Sequence, residues 1–413
     1  MDRSVCFSLV HNLLPMVLLL VGIACAFWCP GKFGSRSLMT FYAVRFLLIV
    51  VAFDVGGLGS VDLDGWWQHA LWMTDEGLFP GKDFATPYHL GFNFLLFVVA
   101  KAWHSPYAIC ILFTLAEVIG VSLMFHALKG FFPVEKLKMA IILFASSPVG
   151  YASALSTQDE PLMFLGVTAV LYAIISGWKK AAVLAMFATI AISKIFALFF
   201  VFPVVMLRRW KGIAWLILAV LVYWLTAYTV GVNPFDIRFG REVGLETILA
   251  DDIMGSVTYG NVWKLLGIRP CVCIKCFAAA MIGVACALFS GGPRLSSMLR
   301  SDRVKVVLGM MTLMMYAFVA FYPMTFFMYL IPFLPFMYLA IVVNEKRWML
   351  VFTLAAFTAW QFMLRYGIAE SSFAGRHKSV FLTVYFGLFA WLVWRDLLLY
   401  GYVIRDSFDT DKW

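Results

Sequence analysis

Long apolar runs follow one another along most of the sequence, with only short polar segments between them. A helix needs roughly 20 apolar residues to cross the hydrocarbon core of a bilayer, and many of the runs approach that length. Hydrophobic residues make up 63% of the chain and charged residues 13%, whereas soluble domains are nearer to about half and about a quarter. The sequence therefore predicts an all-α, polytopic transmembrane protein, in which residues 1–413 form a single transmembrane domain.

The predicted spans number about 11–13, because several runs are short for a straight crossing of the membrane. The first run is interpreted as a retained span, since no small-residue cleavage pattern follows it. The runs 181–193 and 195–207 are either two short spans or one long tilted helix. In chain order the runs are 7–28, 39–56, 105–126, 138–154, 161–177, 181–193, 195–207, 213–231, 272–290, 305–323, 325–342, 347–366 and 379–402.

Basic residues occur in clusters after alternate spans. Cytoplasmic loops are enriched in Lys and Arg, so this alternation puts every cluster on the cytoplasmic side and the N-terminus outside. The net charge is +9. A nucleic-acid partner would need one continuous basic face, and it is excluded because the basic residues lie in separate clusters between apolar runs. The clusters are Lys32 and Arg36; Lys129, Lys136 and Lys138; Lys179 and Lys180; Arg208, Arg209 and Lys211; Arg294, Arg300, Arg303 and Lys305; and Lys346 and Arg347.

Two long segments fall on the outer side of this topology, residues 57–104 and residues 231–270. Long ordered loops in compact proteins are usually functional. The apolar stretch 90–103 lies inside the first outer loop, and counting it as a span would break the charge alternation. We therefore expect it to be a helix that lies in the outer interface or re-enters the membrane, so that the first loop carries interfacial helices.

The first outer loop begins with Asp62 and Asp64, which two tryptophans follow closely. A carboxylate at a membrane boundary is partly desolvated, which makes it a better proton acceptor. Two carboxylates separated by one residue could also hold a divalent cation or position a hydroxyl between them. The pair Cys273 and Cys276 has zinc-site spacing but lacks a second pair or a nearby His, so no metal site is expected there.

Polar residues elsewhere in apolar surroundings also need a reason. Gln158, Asp159 and Glu160 follow one another at the outer end of a span, where Asp159 is either an N-cap or a functional residue. Lys194 lies at the outer level and either snorkels to the interface or meets an anionic group such as a lipid phosphate. Glu117 falls in the middle of a span, where a protonated carboxyl bonded between helices is favoured over a functional role.

The order of these motifs resembles the GT-C superfamily of polytopic glycosyltransferases, among them the GPI mannosyltransferase I catalytic subunits and the bacterial polyprenol-phosphate-mannose transferases. The chain departs from their pattern in two ways: His89-Leu90 stands where Pro often follows the Tyr, and an extra apolar run precedes the first outer loop. The matching residues are Asp62-Leu63-Asp64, Gly77, Phe79-Pro80, Asp83-Phe84, Tyr88, Glu117, Ser147-Pro148, Ser156 to Glu160, Ser193 to Phe196, Pro203 and Met328 to Phe333.

The resemblance implies an inverting transfer of a sugar from a polyprenyl- or dolichyl-phosphate donor to a glycan or lipid-linked acceptor on the non-cytoplasmic face. It implies that Asp64 is the general base and that Asp62 orients the acceptor or shapes the base. Lys194 and Arg241 would bind the donor phosphate. Many enzymes of the superfamily that use lipid phosphates need no metal, so a divalent cation is allowed but not required, and no other cofactor is implied. The implied substrate-binding residues are Tyr88, His89, Gln158, Asp159 and Glu160.

The expected partners are the lipid bilayer, the sugar donor and the acceptor. The lack of any Asn-X-Ser/Thr sequence favours a bacterial inner membrane over the endoplasmic reticulum membrane. The alternative function is a transporter or flippase for a glycolipid or polar lipid, which would place charged residues near the bilayer midplane and show repeat symmetry. Most charged residues here fall at one face, which favours the enzyme. A structural subunit of a glycan-synthesis complex is the third hypothesis.

Overall fold

The structure is a computed structural model, and it describes only part of the chain. The chain divides into two compact units: residues 1–198, 217–248 and 327–339 form one, and residues 199–216, 249–326 and 340–413 form the other. All the side-chain contacts below lie within the first unit. The described residues are 13–28, 35–56, 61–86, 88–155, 157–193, 209–229, 238–239, 243–244, 304, 308, 327–343 and 355.

The described residues are almost entirely helical, which confirms the all-α class for this part of the chain. Two short strands, β1 (Arg238–Phe239) and β2 (Val243–Gly244), pair antiparallel, and a 3-10 turn covers Phe327–Leu330. The helices are α1 (Leu14–Trp28), α2 (Ser35–Gly56), α3 (Val61–Thr74), α4 (Leu90–Ala102), α5 (Pro106–Leu128), α6 (Val134–Ala145), α7 (Pro148–Leu155), α8 (Glu160–Ile175), α9 (Lys179–Ile192), α10 (Arg209–Thr229) and α11 (Leu334–Val343).

Helices occupy the predicted spans wherever the structure describes most of a span, but two spans are interrupted. The predicted span 138–154 is two helices, because Pro148 has no backbone N–H and disfavours a helical conformation at Ser147. The predicted span 325–342 is the 3-10 turn followed by α11, with Pro332 between them. By length and composition, α5 is the one helix in the described part that could cross a membrane.

The end of α9 decides between the two alternatives for residues 181–207. The helix ends at Ile192, and Ser193 has extended backbone angles of φ −106° and ψ 179°. One long tilted helix through this region is therefore wrong. The predicted spans 195–207, 272–290 and 379–402 lie outside the described residues, as do 305–323 and 347–366 apart from single positions, and nearly all of the second outer loop.

The first outer loop contains α3 and α4, so the helix expected over 90–103 is confirmed as α4, while its interfacial position stays a prediction. The stripe Leu63, Trp66, Ala70 and Met73 is buried along α3, at the spacing that puts residues on one face of a helix. The two aspartates of the loop are exposed, whereas several other residues of α3 are half-buried.

Trp66 fixes α3 against its neighbours. Its indole is 1% exposed and meets three rings edge-on, those of Tyr88, Phe92 and Phe113, at centroid distances of 5.9, 5.5 and 5.5 Å. Such edge-to-face pairs add about 0.5–1.5 kcal/mol each beyond the burial of their area. Because these rings belong to α4, α5 and the segment before α4, the position of the first turn of α3 is set by the core.

Gly91 lets α4 approach α9 closely. A Cβ at this position would overlap the backbone carbonyl of Ala191, which cannot move without shifting α9. We expect Gly91→Ala to lower the free energy of unfolding by about 1–3 kcal/mol, the usual cost of overpacking. Gly65→Ala on α3 is the matched control, because no atom of the described residues lies within 4 Å of its Cβ position. Thermal unfolding of the two purified variants checks this; equal midpoints would contradict the close contact.

Candidate functional site

Asp62 and Asp64 both lie in the first turn of α3 and are exposed. On a helix, residues two positions apart do not face each other, so the two carboxylates point in different directions from the helix axis. This spacing disfavours one cation or one hydroxyl held between both carboxylates, and metal dependence stays a prediction. Each aspartate therefore has to be considered with its own surroundings.

Asp62 is joined to a segment far along the chain. The side-chain Nε2 of Gln158 donates a hydrogen bond to Oδ2 of Asp62 at 3.1 Å. A carboxylate has about four acceptor positions on its two oxygens, so this bond leaves Asp62 able to accept further hydrogen bonds. Asp64, in contrast, has no hydrogen-bond partner among the residues that the structure describes. The structure thus brings Asp62, and not Asp64, to the polar segment 158–160.

The turn between α7 and α8 sets the direction of Gln158. The N–H of Thr157 bonds the carbonyl of Ala154 at 3.1 Å, and the N–H of Gln158 bonds that of Ser153 at 3.1 Å. This is the hydrogen-bond pattern of a Schellman motif, which needs a left-handed residue that is usually glycine. Thr157 takes that place with φ 47°. A β-branched residue is an outlier there, and strain of this kind concentrates at functional sites.

The segment that follows this turn buries three polar side chains in a row. Gln158, Asp159 and Glu160 are 4%, 3% and 1% exposed. Asp159 stands at the N-cap of α8 with helical backbone angles and makes no side-chain capping bond, so the capping role considered for it is wrong. Pro161 lies in the first turn of α8, as its missing N–H allows. Helix capping therefore does not account for the buried carboxyl of Asp159.

His89 connects α4 to the end of α9. Its Nδ1 accepts the N–H of Phe92 at 3.4 Å as the N-cap of α4, so its Nε2 carries the proton and donates it to the carbonyl of Ser193 at 2.8 Å. The ring also meets Tyr223 edge-on at 5.0 Å. These contacts hold the neutral ring in one tautomer. They tie Ser193, the residue that precedes Lys194 in the sequence, to the N-terminus of α4.

Burial lowers the pKa of His89 to about 4, and this outweighs the hydrogen bond to Ser193 and the attraction of Asp159, which both favour the charged ring. The unfolded chain has a His pKa near 6.5. Between these values the unfolded chain binds a proton that the folded protein does not bind. The contribution of His89 to the free energy of unfolding is therefore fully present above about pH 6.5. It falls as the pH drops towards about 4, by roughly 3 kcal/mol in total.

This pH dependence can be measured with His89→Asn. Asparagine can cap α4 but does not titrate, so the variant should lose less stability than the wild type between pH 7 and pH 5. Thermal unfolding midpoints of both proteins at the two pH values give the comparison. An equal shift in both would show that other groups cause the acid sensitivity.

Tyr88 lies beside the site but packs into the aromatic cluster. Its ring is 5.9 Å from that of Trp66 and 4.9 Å from that of Phe92, and its backbone N–H bonds Oγ1 of Thr86 at 3.1 Å. Tyr88 thus helps to position α3.

A buried ion pair lies deeper in the same unit. Arg45 on α2 binds Glu117 on α5 through both terminal nitrogens, Nη1 to Oε1 at 2.7 Å and Nη2 to Oε2 at 3.3 Å. The hydroxyl of Tyr42 donates to Oε1 of Glu117 at 2.7 Å, and Nη2 of Arg45 also reaches the carbonyl of Gly150 at 2.7 Å. Glu117 therefore bonds between helices, as expected, but its main partner is a guanidinium on α2.

Sequence reasoning missed Arg45 and Tyr42. A signal for Arg45 was present, because a lone Arg inside one apolar run and a lone Glu inside another are expected to pair when both runs cross a membrane. Sequence spacing does not show which span packs against which, however. The ion pair also shows that charged side chains lie in the helix core of this unit as well as in its first outer loop.

Two predicted site residues, Lys194 and Arg241, lie outside the described residues. Their role in phosphate binding stays a prediction. Within the part of the chain that the structure describes, no group of three or more His, Cys, Asp or Glu side chains is placed to hold a metal ion. The comparisons with protein-family models, with curated proteins and with solved structures give no match.

Proposed function

We propose that this protein is a polytopic membrane glycosyltransferase of the GT-C type, which moves a sugar from a polyprenyl-phosphate or dolichyl-phosphate donor to a glycan or lipid-linked acceptor. The observation that carries the proposal is the hydrogen bond between Gln158 and Asp62. It joins the aspartate loop to a buried run of three polar residues 96 positions away. A carboxylate beside such a segment suits the activation of a hydroxyl and the recognition of a sugar.

In the proposed reaction the acceptor hydroxyl attacks the anomeric carbon of the donor sugar. A new C–O bond forms there as the bond from the anomeric carbon to the phosphate oxygen breaks, and the lipid phosphate leaves with that electron pair. Asp62 takes the hydroxyl proton, because its carboxylate is the one that faces segment 158–160. This exchanges the roles that the resemblance implies for Asp62 and Asp64. Attack from the face opposite to the phosphate inverts the configuration.

Stabilising the departing phosphate is the second task of such a site. Lys194 and Arg241 are the proposed cationic groups. Support for Lys194 comes from its neighbour, since Ser193 is held by His89, and His89 interacts electrostatically with Asp159. His89 is thus a positioning residue, whereas Asp159 and Glu160 are proposed to bind the sugar or the acceptor. No step in this scheme requires a metal ion.

The proposed location is a cell membrane, with the bacterial inner membrane favoured, and the site faces the non-cytoplasmic side. The charge alternation supports this sidedness. Its test uses single cysteines in a background without the native ones. Cys in place of Glu76, an exposed residue beyond α3, should react with an impermeant thiol reagent added outside. Cys in place of Gly130, an open position after α5, should react only after permeabilisation, and the reverse pattern would overturn the topology.

The proposed reaction is tested with the purified chain in proteoliposomes and a panel of polyprenyl-phosphate sugars plus lipid and glycan acceptors. We expect one sugar donor to be consumed, with release of the lipid phosphate. If a donor crosses the bilayer unchanged, the transporter hypothesis replaces the enzyme. If the chain neither consumes nor moves any donor, the proposal fails.

A further inference from the structure

A small cavity lies beside the ion pair, with a volume of about 20 Å³, which is room for about one water molecule or one hydroxyl group. Gln158 lines it and reaches exposed Asp62, so one end of the cavity adjoins the proposed reaction site. Arg45 and Glu117 line it as well and mark its polar interior. The polar residues that line it are Tyr42, Arg45, Thr114, Glu117, Ser153, Thr157 and Gln158.

The charges that line this cavity cancel. Both terminal nitrogens of Arg45 bind Glu117, and the hydroxyl of Tyr42 donates a further hydrogen bond to Oε1 of Glu117. A phosphate would lie beside the Glu117 carboxylate with no net positive charge in the lining to offset it, so the cavity disfavours an anion. A neutral polar group avoids both penalties, because burying it costs little once it is hydrogen-bonded.

Two polar atoms in the lining have no hydrogen-bond partner in the part of the chain that the structure describes. Among the residues that the structure describes, none bonds Nε of Arg45 or Oγ of Ser153, although both atoms are buried. Arg45 is 2% exposed and Ser153 1% exposed. Leaving a buried donor or acceptor unsatisfied is costly, so native proteins nearly always satisfy such groups. Both residues line the cavity, and a hydroxyl group can accept a hydrogen bond from an N–H while it shares another with a serine hydroxyl.

We propose that this cavity binds one neutral hydroxyl of the sugar that reacts beside Asp62 and Gln158. Arg45 and Ser153 form hydrogen bonds with this hydroxyl. The inference rests on the proposed glycosyl transfer and deepens it, because it names a specificity site. The hydroxyl belongs either to the donor sugar or to the acceptor sugar. A site built to bond a hydroxyl rejects an analogue without it far more strongly than a site of fitted shape alone.

The test pairs substrate analogues with a single variant. Purified wild type and Ser153→Ala are assayed in proteoliposomes with the consumed donor and with its singly deoxygenated analogues, and in a second arm with deoxygenated acceptors. We expect one analogue to lower kcat/KM of the wild type tenfold or more. Ser153→Ala should lower kcat/KM about tenfold for the full substrates but make no further difference with that analogue, because the two changes remove the same hydrogen bond.

Ser146→Ala is the matched control, since Ser146 is also buried but bonds the backbone of its own helix and does not line the cavity. It should leave every kcat/KM ratio between analogues unchanged. If Ser153→Ala lowers activity equally with all substrates, its role is structural and the inference fails while the proposed transfer stands. If the wild type transfers no sugar at all, the proposed function fails, and this inference fails with it.

Discussion

Replacing Asp62 with Asn is expected to reduce sugar transfer by about 10²–10⁴-fold, the range that a general base contributes. Asn keeps an oxygen that can accept the bond from Gln158, now 3.1 Å long to Oδ2 of Asp62, so the segment 158–160 should keep its place. What Asn cannot do is take a proton from the acceptor hydroxyl. The loss should therefore appear in kcat at saturating donor and acceptor, with an unchanged thermal unfolding midpoint.

Asp64→Asn provides the matched control for this result. Asp64 lies on the same helical turn with a similarly exposed side chain, but it points away from Asp62 because the two are two residues apart on a helix. We expect its activity to stay within about tenfold of the wild type. The opposite order, with Asp64→Asn inactive and Asp62→Asn active, would restore the assignment implied by the superfamily and reject the one made from the geometry.

Replacing Glu117 with Leu is expected to destabilise the protein by about 3–5 kcal/mol, because it leaves the guanidinium of Arg45 buried without its counter-charge. The Arg45 side chain is 2% exposed and that of Glu117 4%, so the guanidinium would be left largely desolvated. Thermal unfolding in detergent and the fraction of monodisperse protein after extraction measure the effect. We expect a large fall in both.

The double variant Arg45→Met with Glu117→Leu tests whether the charge is the cause. Replacing both partners of a buried ion pair by apolar residues of similar volume is often neutral or stabilising. The double variant should therefore recover most of the stability that Glu117→Leu loses. A double variant that is as unstable as the single one would show that packing or the bond from Arg45 to Gly150, and not the pairing of charges, holds these helices.

Local features of the fold could be predicted from the sequence because they depend on neighbours in the chain. Apolar runs marked most of the described helices, and a short apolar stretch marked α4. The interruption between α6 and α7 follows from Pro148, which stands inside the apolar run 138–154. The end of α9 at Ser193 could not be decided, because no proline or glycine marks it.

The candidate site was predicted only in part, because its contacts join distant positions. Asp62 and the segment 158–160 were both singled out, but their hydrogen bond depends on how α3 packs through Trp66. The divergence of Asp62 and Asp64 follows once α3 is known to be helical, which the D-x-D spacing alone does not reveal. Predicting the pairing of Arg45 with Glu117 likewise requires the knowledge that α2 lies against α5.

The most direct test of sugar transfer by this chain is a product analysis with the donor that the panel selects. Wild-type protein in proteoliposomes is given a donor of known anomeric configuration and its acceptor, and the products are analysed by mass spectrometry and NMR. We predict equal amounts of free lipid phosphate and glycosylated acceptor, with the anomeric configuration inverted. An intact donor, or a product of retained configuration, would contradict the proposed mechanism.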